Sequence, residues 1–293
     1  MNYIVKTYQQ ESSVEDLGLV QIDKTVIDMG SVLRSRVNFE KGMTYGEIIK
    51  KYVGVVKHYK PCIPVFDGYS DDCASTKYIT HMKRSKKQVP SNTFELASHL
   101  PFNCESKAAF FANKSNKQLF INMLSAELKN EGITALHATG DADQLIAKTA
   151  IDNAVNYTTQ VIGEDTDIFI LLVSLLKPNS KDLYMVTEKT TSKHPLIDIK
   201  AIREKLGEEC AKVLPVIHAI SGCDTTSKPF GIGKVSIMKK CNQIINELKP
   251  FLSEQATHTQ IEEAGRKILC HIYGDKSTHY NLDSLRLKKF EQM

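Results

Sequence analysis

The chain has 293 residues, 42% of them apolar, seven cysteines and a formal net charge of +4, enough apolar material for one large core with a smaller appendage. Its longest apolar run, Ile168 to Leu176, is about half of the ~20 residues that span a bilayer, which excludes a transmembrane helix. The opening Met1-Asn2-Tyr3-Ile4-Val5-Lys6 lacks a signal-peptide core, and the cysteines are widely spaced, odd in number and without a C-x-x-C, which argues against a disulfide framework or a zinc cluster. The expectation is an intracellular protein with reduced, mostly buried thiols, whose mild positive charge permits a polyanionic partner.

Residues Gly18 to Asp28 read as one or two strands, the clearest being Lys24 to Asp28, and Met29-Gly30-Ser31 then leads into a helical Val32-Leu33 pattern. Asp28 therefore falls at the carboxyl end of a strand, where open parallel α/β sheets place ligands. From Thr44 to Tyr59 the residues Ile48, Ile49, Tyr52, Val53 and Val56 recur at helical spacing, and Pro61 closes the element. A buried strand, Cys62 to Phe66, runs into Asp67-Gly68 and repeats the pattern of strand, acid and small residue. Residues 69–101 turn polar, with Lys77, Lys83, Arg84, Lys86 and Lys87 gathered on a predicted helix. Such a run is commonly a solvated face. Directly after Asp67, it would also draw phosphates toward acids that alone would repel them.

Ser106 to Asn130 reads as one helix with an apolar stripe of Phe110, Phe111, Leu119, Phe120, Met123, Leu124 and Leu128, ended by Gly132. A strand over Ile133 to Ala138 precedes a helix from Ala142 to Asn153. Thr158 to Ile162 and Leu183 to Thr187 read as strands around a buried helix, Asp167 to Leu176. The alternation predicts an α/β fold, a mainly parallel twisted sheet with helices on both faces. Ile197 to Leu206 and Ala211 to Ile220 read as helices, followed by Ser221-Gly-Cys-Asp224 and Phe230-Gly231-Ile232-Gly233-Lys234. A Gly-Ile-Gly turn opening a helix exposes N–H groups that can cradle a phosphate, and it serves equally as a tight turn between helices. Ser253 to Phe290 is helical and mixed in charge, and the chain carries no internal repeat.

Seven aspartates thus fall at element ends: Asp28, Asp67, Asp141, Asp143, Asp165, Asp167 and Asp224. Helix capping accounts for one acid per helix, at ~0.3 to 1 kcal/mol each through the macrodipole. It accounts poorly for two Asp-x-Asp pairs, since the second acid adds repulsion for little capping, and residues two apart share no face of a regular helix. A cluster of unneutralised carboxylates calls for a divalent cation. Two such ions roughly 4 Å apart can activate water, neutralise a scissile phosphate and stabilise the leaving oxygen. Oxygen ligands without His or Cys favour Mg²⁺ or Mn²⁺ over Zn²⁺. His137 alone among the histidines falls near the acids, and a core-packed strand histidine is its expected role.

The ordered set Val-Ile-Asp28, Val-Phe-Asp67-Gly, Gly-Asp141-Ala-Asp143, Gly-Glu164-Asp165-Thr-Asp167 and Ser-Gly-Cys-Asp224 followed by Phe-Gly-Ile-Gly-Lys234 resembles the flap endonuclease/XPG nuclease family. The resemblance covers roughly Thr25 to Ile245. It implies a three-layer PIN-like core over residues 1–225, with a helical arch insertion at about 69–105, then a helix-two-turn-helix and C-terminal helices over 226–293. It further implies two Mg²⁺ or Mn²⁺ ions: Asp28, Asp67, Asp141, Asp143 and Asp165 would form the more tightly held site, and Asp167 and Asp224 would complete the second. Lys77 and Arg84 would draw the scissile phosphate onto the metals, with Lys83, Lys86 and Lys87 beside them. Gly231, Gly233 and Lys234 would grip duplex backbone through a monovalent cation. Glu164 has no counterpart in that metal site.

This sequence departs from the family at several points. Asp141 and Asp143 stand where glutamates are usual, about two dozen unrelated residues precede Asp28, Arg34 replaces a stacking aromatic, and Thr225 replaces a tyrosine. The implied activity is structure-sensitive cleavage of DNA in the nucleus. A PIN-type RNase stands beside it, because a metal site contacts phosphates that both polymers share. So does a catalytically silent scaffold of the asteroid type, which the chain also resembles. An Asp-x-Asp phosphatase would need its pair at the first strand, where only Asp28 stands. Protein partners are not legible, and no membrane is expected.

Overall fold

A short helix, Asn2–Tyr8 (α1), precedes the strand around which the first part of the chain is built, Lys24–Asp28 (β1). Thr25 to Asp28 are all buried, as they must be in a strand with neighbours on both sides and helices above and below. In the computed structural model, which describes residues 2–8, 20–40, 42–68, 91–187, 196–274 and 281–292, β1 pairs in parallel with Cys62–Phe66 (β2) and with Thr159–Ile162 (β4). Outside these lie the two-residue Leu136–His137 (β3), parallel to β2, and Leu183–Val186 (β5), parallel to β4. Leu196–Asp198 (β6) closes the far edge antiparallel to β5. The order β3-β2-β1-β4-β5-β6 means that the chain builds outward from β1, then returns to its other side. The topological switch therefore lies between β1 and β4.

The helices Met29–Ser35 (α2), Tyr45–Lys57 (α3), Lys107–Ala112 (α4), Lys114–Asn130 (α5), Asp143–Ala154 (α6) and Thr166–Leu175 (α7) complete the layers. α3 begins with a reciprocal cap: the Thr44 hydroxyl accepts from the Glu47 N–H, and the Glu47 carboxylate accepts from the Thr44 N–H. The single helix expected over 106–130 is two. Asn113 breaks it with an extended backbone, because its side chain accepts from Ser115 and Asn116 N–H as a cap and donates to the Ser91 carbonyl. Asparagine competes with helix at interior positions for this reason. The helix expected from Ile197 starts at Ile199 (Ile199–Leu206, α8), since Leu196 to Asp198 pair with β5 and Asp198 accepts from Ala201 N–H at 2.9 Å.

Of the expected arch insertion, residues 91–105 contain no helix and lie along the core as a strap. Phe94, Leu96, Leu100 and Phe102 pack inward against a cluster that includes Phe110 and Phe120. Gly46 and Tyr45 donate to the Ser98 and Leu100 carbonyls. Lys77, Lys83, Arg84, Lys86 and Lys87 lie outside the described residues. His137 is exposed instead of core-packed: its ring stacks on Phe66 with centroids 5.2 Å apart and reaches Ser125 Oγ at 3.0 Å. Cys210, Cys241 and Cys270 are buried free thiols, whereas Cys62, Cys104 and Cys223 are half-buried.

The chain divides into two compact units, Gln9–Ile202 and Arg203–Met293 with Asn2–Tyr8. Residue 225 therefore lies inside the second unit. That unit is helical: Glu208–Ile220 (α9), Lys234–Lys239 (α10), Cys241–Leu248 (α11), His258–Ile272 (α12) and Leu282–Glu291 (α13), with Ile244, Leu248, Ile268 and Ile272 buried between them. Among the described residues no helix is long and apolar enough to cross a membrane.

Candidate acid site at the strand ends

Asp28 ends β1 and is only 6% exposed. It caps α2, with Oδ1 accepting from the Ser31 N–H at 3.1 Å. The register aligns Asp28 with Val65, so Asp67 emerges two residues further along the neighbouring strand. The two carboxylates face each other across Gly30. A Cβ on Gly30 would lie 3.1 Å from Asp28 Oδ1 and 3.2 Å from Asp67 Oδ2, so the absence of a side chain there leaves the gap between them open. From the β4 side Gly163 closes in, its ideal Cβ 3.3 Å from that of Asp28. Burial pushes the Asp28 carboxyl up to about 6; the Ser31 N–H opposes this, the Asp67 charge adds to it and Arg34 offsets part.

Two cations meet this pair. Arg34, on α2, donates from Nε to the Gly30 carbonyl at 3.1 Å. Lys117, on α5, brings Nζ to 4.0 Å from Asp67 Oδ2 with its side chain 18% exposed. Burial holds the Lys117 ammonium below its ordinary range, Asp67 and Asp28 pull it back up, and Arg34 pushes it down. Lys117 is not among the site residues expected from the sequence: it stands three, seven and eleven residues before Phe120, Leu124 and Leu128, which places it on the buried face of α5 but does not by itself point to the acids.

The other acids of this unit come as two pairs at helix starts. Asp165 caps α7, its Oδ1 accepting the Asp167 N–H at 2.9 Å, so this Asp-x-Asp adopts a first-turn conformation. The Asp143 N–H stands 3.5 Å from Asp141 Oδ1, at the limit of a hydrogen bond, at the start of α6. Gly68 and Gly140 tie the Asp67 loop to the Asp141 loop through an N–H···O bond of 2.7 Å. Among the described residues no three carboxylate, imidazole or thiol groups come together as a metal cage. The donor chemistry of the Asp28–Asp67 pair, oxygen only and mostly shielded from water, still suits a hard cation.

The same architecture occurs in solved nucleases. The chain matches the catalytic core of Rad2 in complex with DNA substrate at a TM-score of 0.50 and 15% identity, over 91% of this chain and 76% of that one. It matches human GEN1 in complex with Holliday junction DNA at 0.52 and 15%, over 92% of this chain and 62% of that one. The chain has the PIN-like fold of these nucleases. No family model matches the sequence, and no curated protein matches it.

In the second unit Asp224 is half-buried in the loop after α9, where the Cys223 N–H donates to Thr226 Oγ1 at 3.0 Å. Gly231 has φ +72°, and Gly233 is the N-cap of α10. A Cβ on either would meet nothing within 4 Å, so the backbone of this turn is open to approach. Lys234 is exposed, with Nζ 3.1 Å from His218 Nδ1, and Phe230 is 85% exposed beside it.

Proposed function

We propose that this chain is a divalent-metal-dependent phosphodiester hydrolase, a structure-sensitive endonuclease or 5′-exonuclease acting on DNA. The observation that carries the reading is the Asp28–Asp67 pair: two acids side by side at the carboxyl ends of adjacent parallel strands, one of them buried with its carboxyl pushed up to about 6. Negative charge kept at a cost at the carboxyl ends of parallel strands, on the strand that borders the topological switch, marks a functional site. Likeness of fold to DNA-bound Rad2 and GEN1 raises the case for a nucleic-acid substrate.

Asp28 and Asp67 would hold a Mg²⁺ or Mn²⁺ ion, with Asp141, Asp143, Asp165 and Asp167 the remaining carboxylates of this unit. Bound ions would supply charge neutralisation at the phosphate and a nucleophilic water at neutral pH. Lys77 and Arg84 would bring the scissile phosphate to the acids, and Lys83, Lys86 and Lys87 would hold flanking backbone. The Gly231–Gly233 turn, with Lys234, would hold duplex phosphates, directly or through a monovalent cation.

The test is cleavage of 5′-tailed duplex DNA by the purified protein with Mg²⁺ or Mn²⁺, lost in Asp67→Ala and Asp165→Ala. A second reading, a PIN-like scaffold that binds without turnover, is favoured by one observation: among the described residues no three metal-ligating groups converge. Binding of the substrate with no cleavage in either ion would establish it. Cleavage of single-stranded RNA in preference to tailed DNA would replace the DNA substrate with RNA.

A further inference from the structure

Lys117 sits where a lysine is expensive. It shares a face of α5 with Phe120, Leu124 and Leu128, all fully buried or nearly so, and its own side chain is 18% exposed. A charge on a core-facing stripe needs a partner. The partner here is Asp67, 4.0 Å away, backed by Asp28. On the other side two like charges face each other across Gly30, an arrangement that repulsion alone would spread apart.

We propose that Lys117 is the built-in counter-ion of the Asp28–Asp67 pair, a positioning residue that holds Asp67 toward Asp28 in the metal-free protein and competes with a divalent cation for it. The inference rests on the metal-binding reading above and deepens it. With Arg34 and Lys117 against Asp28 and Asp67, the formal charges of the four groups cancel. A divalent cation held there would add two positive charges to these four groups and so offset the neighbouring acids that repel a phosphodiester. Lys117 would remain as a cation beside the pair.

The experiment compares Lys117→Gln with Lys117→Arg by Mn²⁺ titration calorimetry without nucleic acid. Removing the charge is expected to tighten Mn²⁺ binding about tenfold, whereas arginine, which keeps it, stays within about twofold of wild type. A double-mutant cycle of Lys117→Gln and Asp67→Asn, read by thermal melting in EDTA, is expected to show coupling between the two. Unchanged or weaker Mn²⁺ affinity in Lys117→Gln, or strict additivity in EDTA, overturns the proposal. If neither wild type nor Lys117→Gln binds Mn²⁺, the metal reading fails and the competition with it, while the EDTA cycle still decides whether Lys117 holds Asp67.

Discussion

The Gly68 N–H donates to the Gly140 carbonyl over 2.7 Å, which makes the loop behind Asp67 and the loop before Asp141 one hydrogen-bonded layer. The two glycines are not equivalent. A Cβ on Gly68 would overlap the Ala138 carbonyl oxygen, while one on Gly140 would meet nothing within 4 Å. Gly68→Ala is therefore expected to lose about 1–3 kcal/mol by forcing the layer apart. Gly140→Ala should stay within about 0.5 kcal/mol of wild type. Urea unfolding of the two variants checks this, and equal losses would show that the close approach at Gly68 relaxes freely.

Asn116 fastens the 91–105 strap. It is fully buried, donates to the Asn92 carbonyl at 2.9 Å and to Ser91 Oγ at 3.2 Å, and accepts from the Phe94 N–H at 2.8 Å. Asn116→Leu fills the volume but strips these groups of their partner, at an expected cost of about 2–4 kcal/mol. Limited proteolysis should then cut within 91–105 at conditions where wild type is resistant. A variant as resistant and as stable as wild type would mean that aromatic packing alone holds the strap.

How much of this was legible in the sequence follows from which residues act locally. Lys24 to Asp28 and Cys62 to Phe66 are short β-prone runs that lead into an acid, and the strands end at Asp28 and just before Asp67. Thr44 and Glu47 mark a helix start by their spacing alone. Asn113, by contrast, reads as a tolerable helix residue until Ser91, distant in sequence, offers its carbonyl. Leu196 to Asp198 become a strand because β5 presents a free edge, which no window of the sequence contains. The pairing of Asp28 with Asp67 was legible as two strand ends. The cation between α5 and that pair was not, because a lysine three residues before Phe120 is ordinary unless the depth of the helix face is known.

Lys107 closes the far end of α2, donating to the carbonyls of Arg34 at 3.0 Å and Val37 at 2.7 Å beneath the rings of Phe39 and Tyr52. Burial pushes its ammonium down to about 8 from 10.5. Between those values the unfolded chain carries a proton that the folded chain lacks, so this group makes stability rise as pH rises from about 8 to about 10.5. Lys107→Met should lack that rise. Denaturation midpoints of both proteins at pH 7.5, 9 and 10.5 measure it, and parallel profiles would show that the two carbonyls and two ring faces hold the charge in place despite burial.

Asp28 has the opposite sign. Its folded carboxyl titrates near 6 and its unfolded one near 3.8, so between these values the folded chain binds the extra proton. Stability from this group is therefore highest at the acid end and falls as pH rises through 6. At neutral pH the difference corresponds to a penalty of about 3 kcal/mol carried by the folded state. Asp28→Asn keeps an oxygen for the Ser31 N–H and removes the charge facing Asp67. In EDTA at pH 7.5 it should be more stable than wild type by up to about 3 kcal/mol, and near pH 4 by much less. Mn²⁺ should raise the melting temperature of wild type and leave that of Asp28→Asn nearly unmoved, because binding to the native state alone is what transmits a ligand into stability. A carboxylate that destabilises the empty protein and is stabilised by a cation is retained for the cation. If Asp28→Asn is instead less stable than wild type at both pH values and melts higher with Mn²⁺ to the same degree, Asp28 is a helix cap and the metal reading loses its central residue.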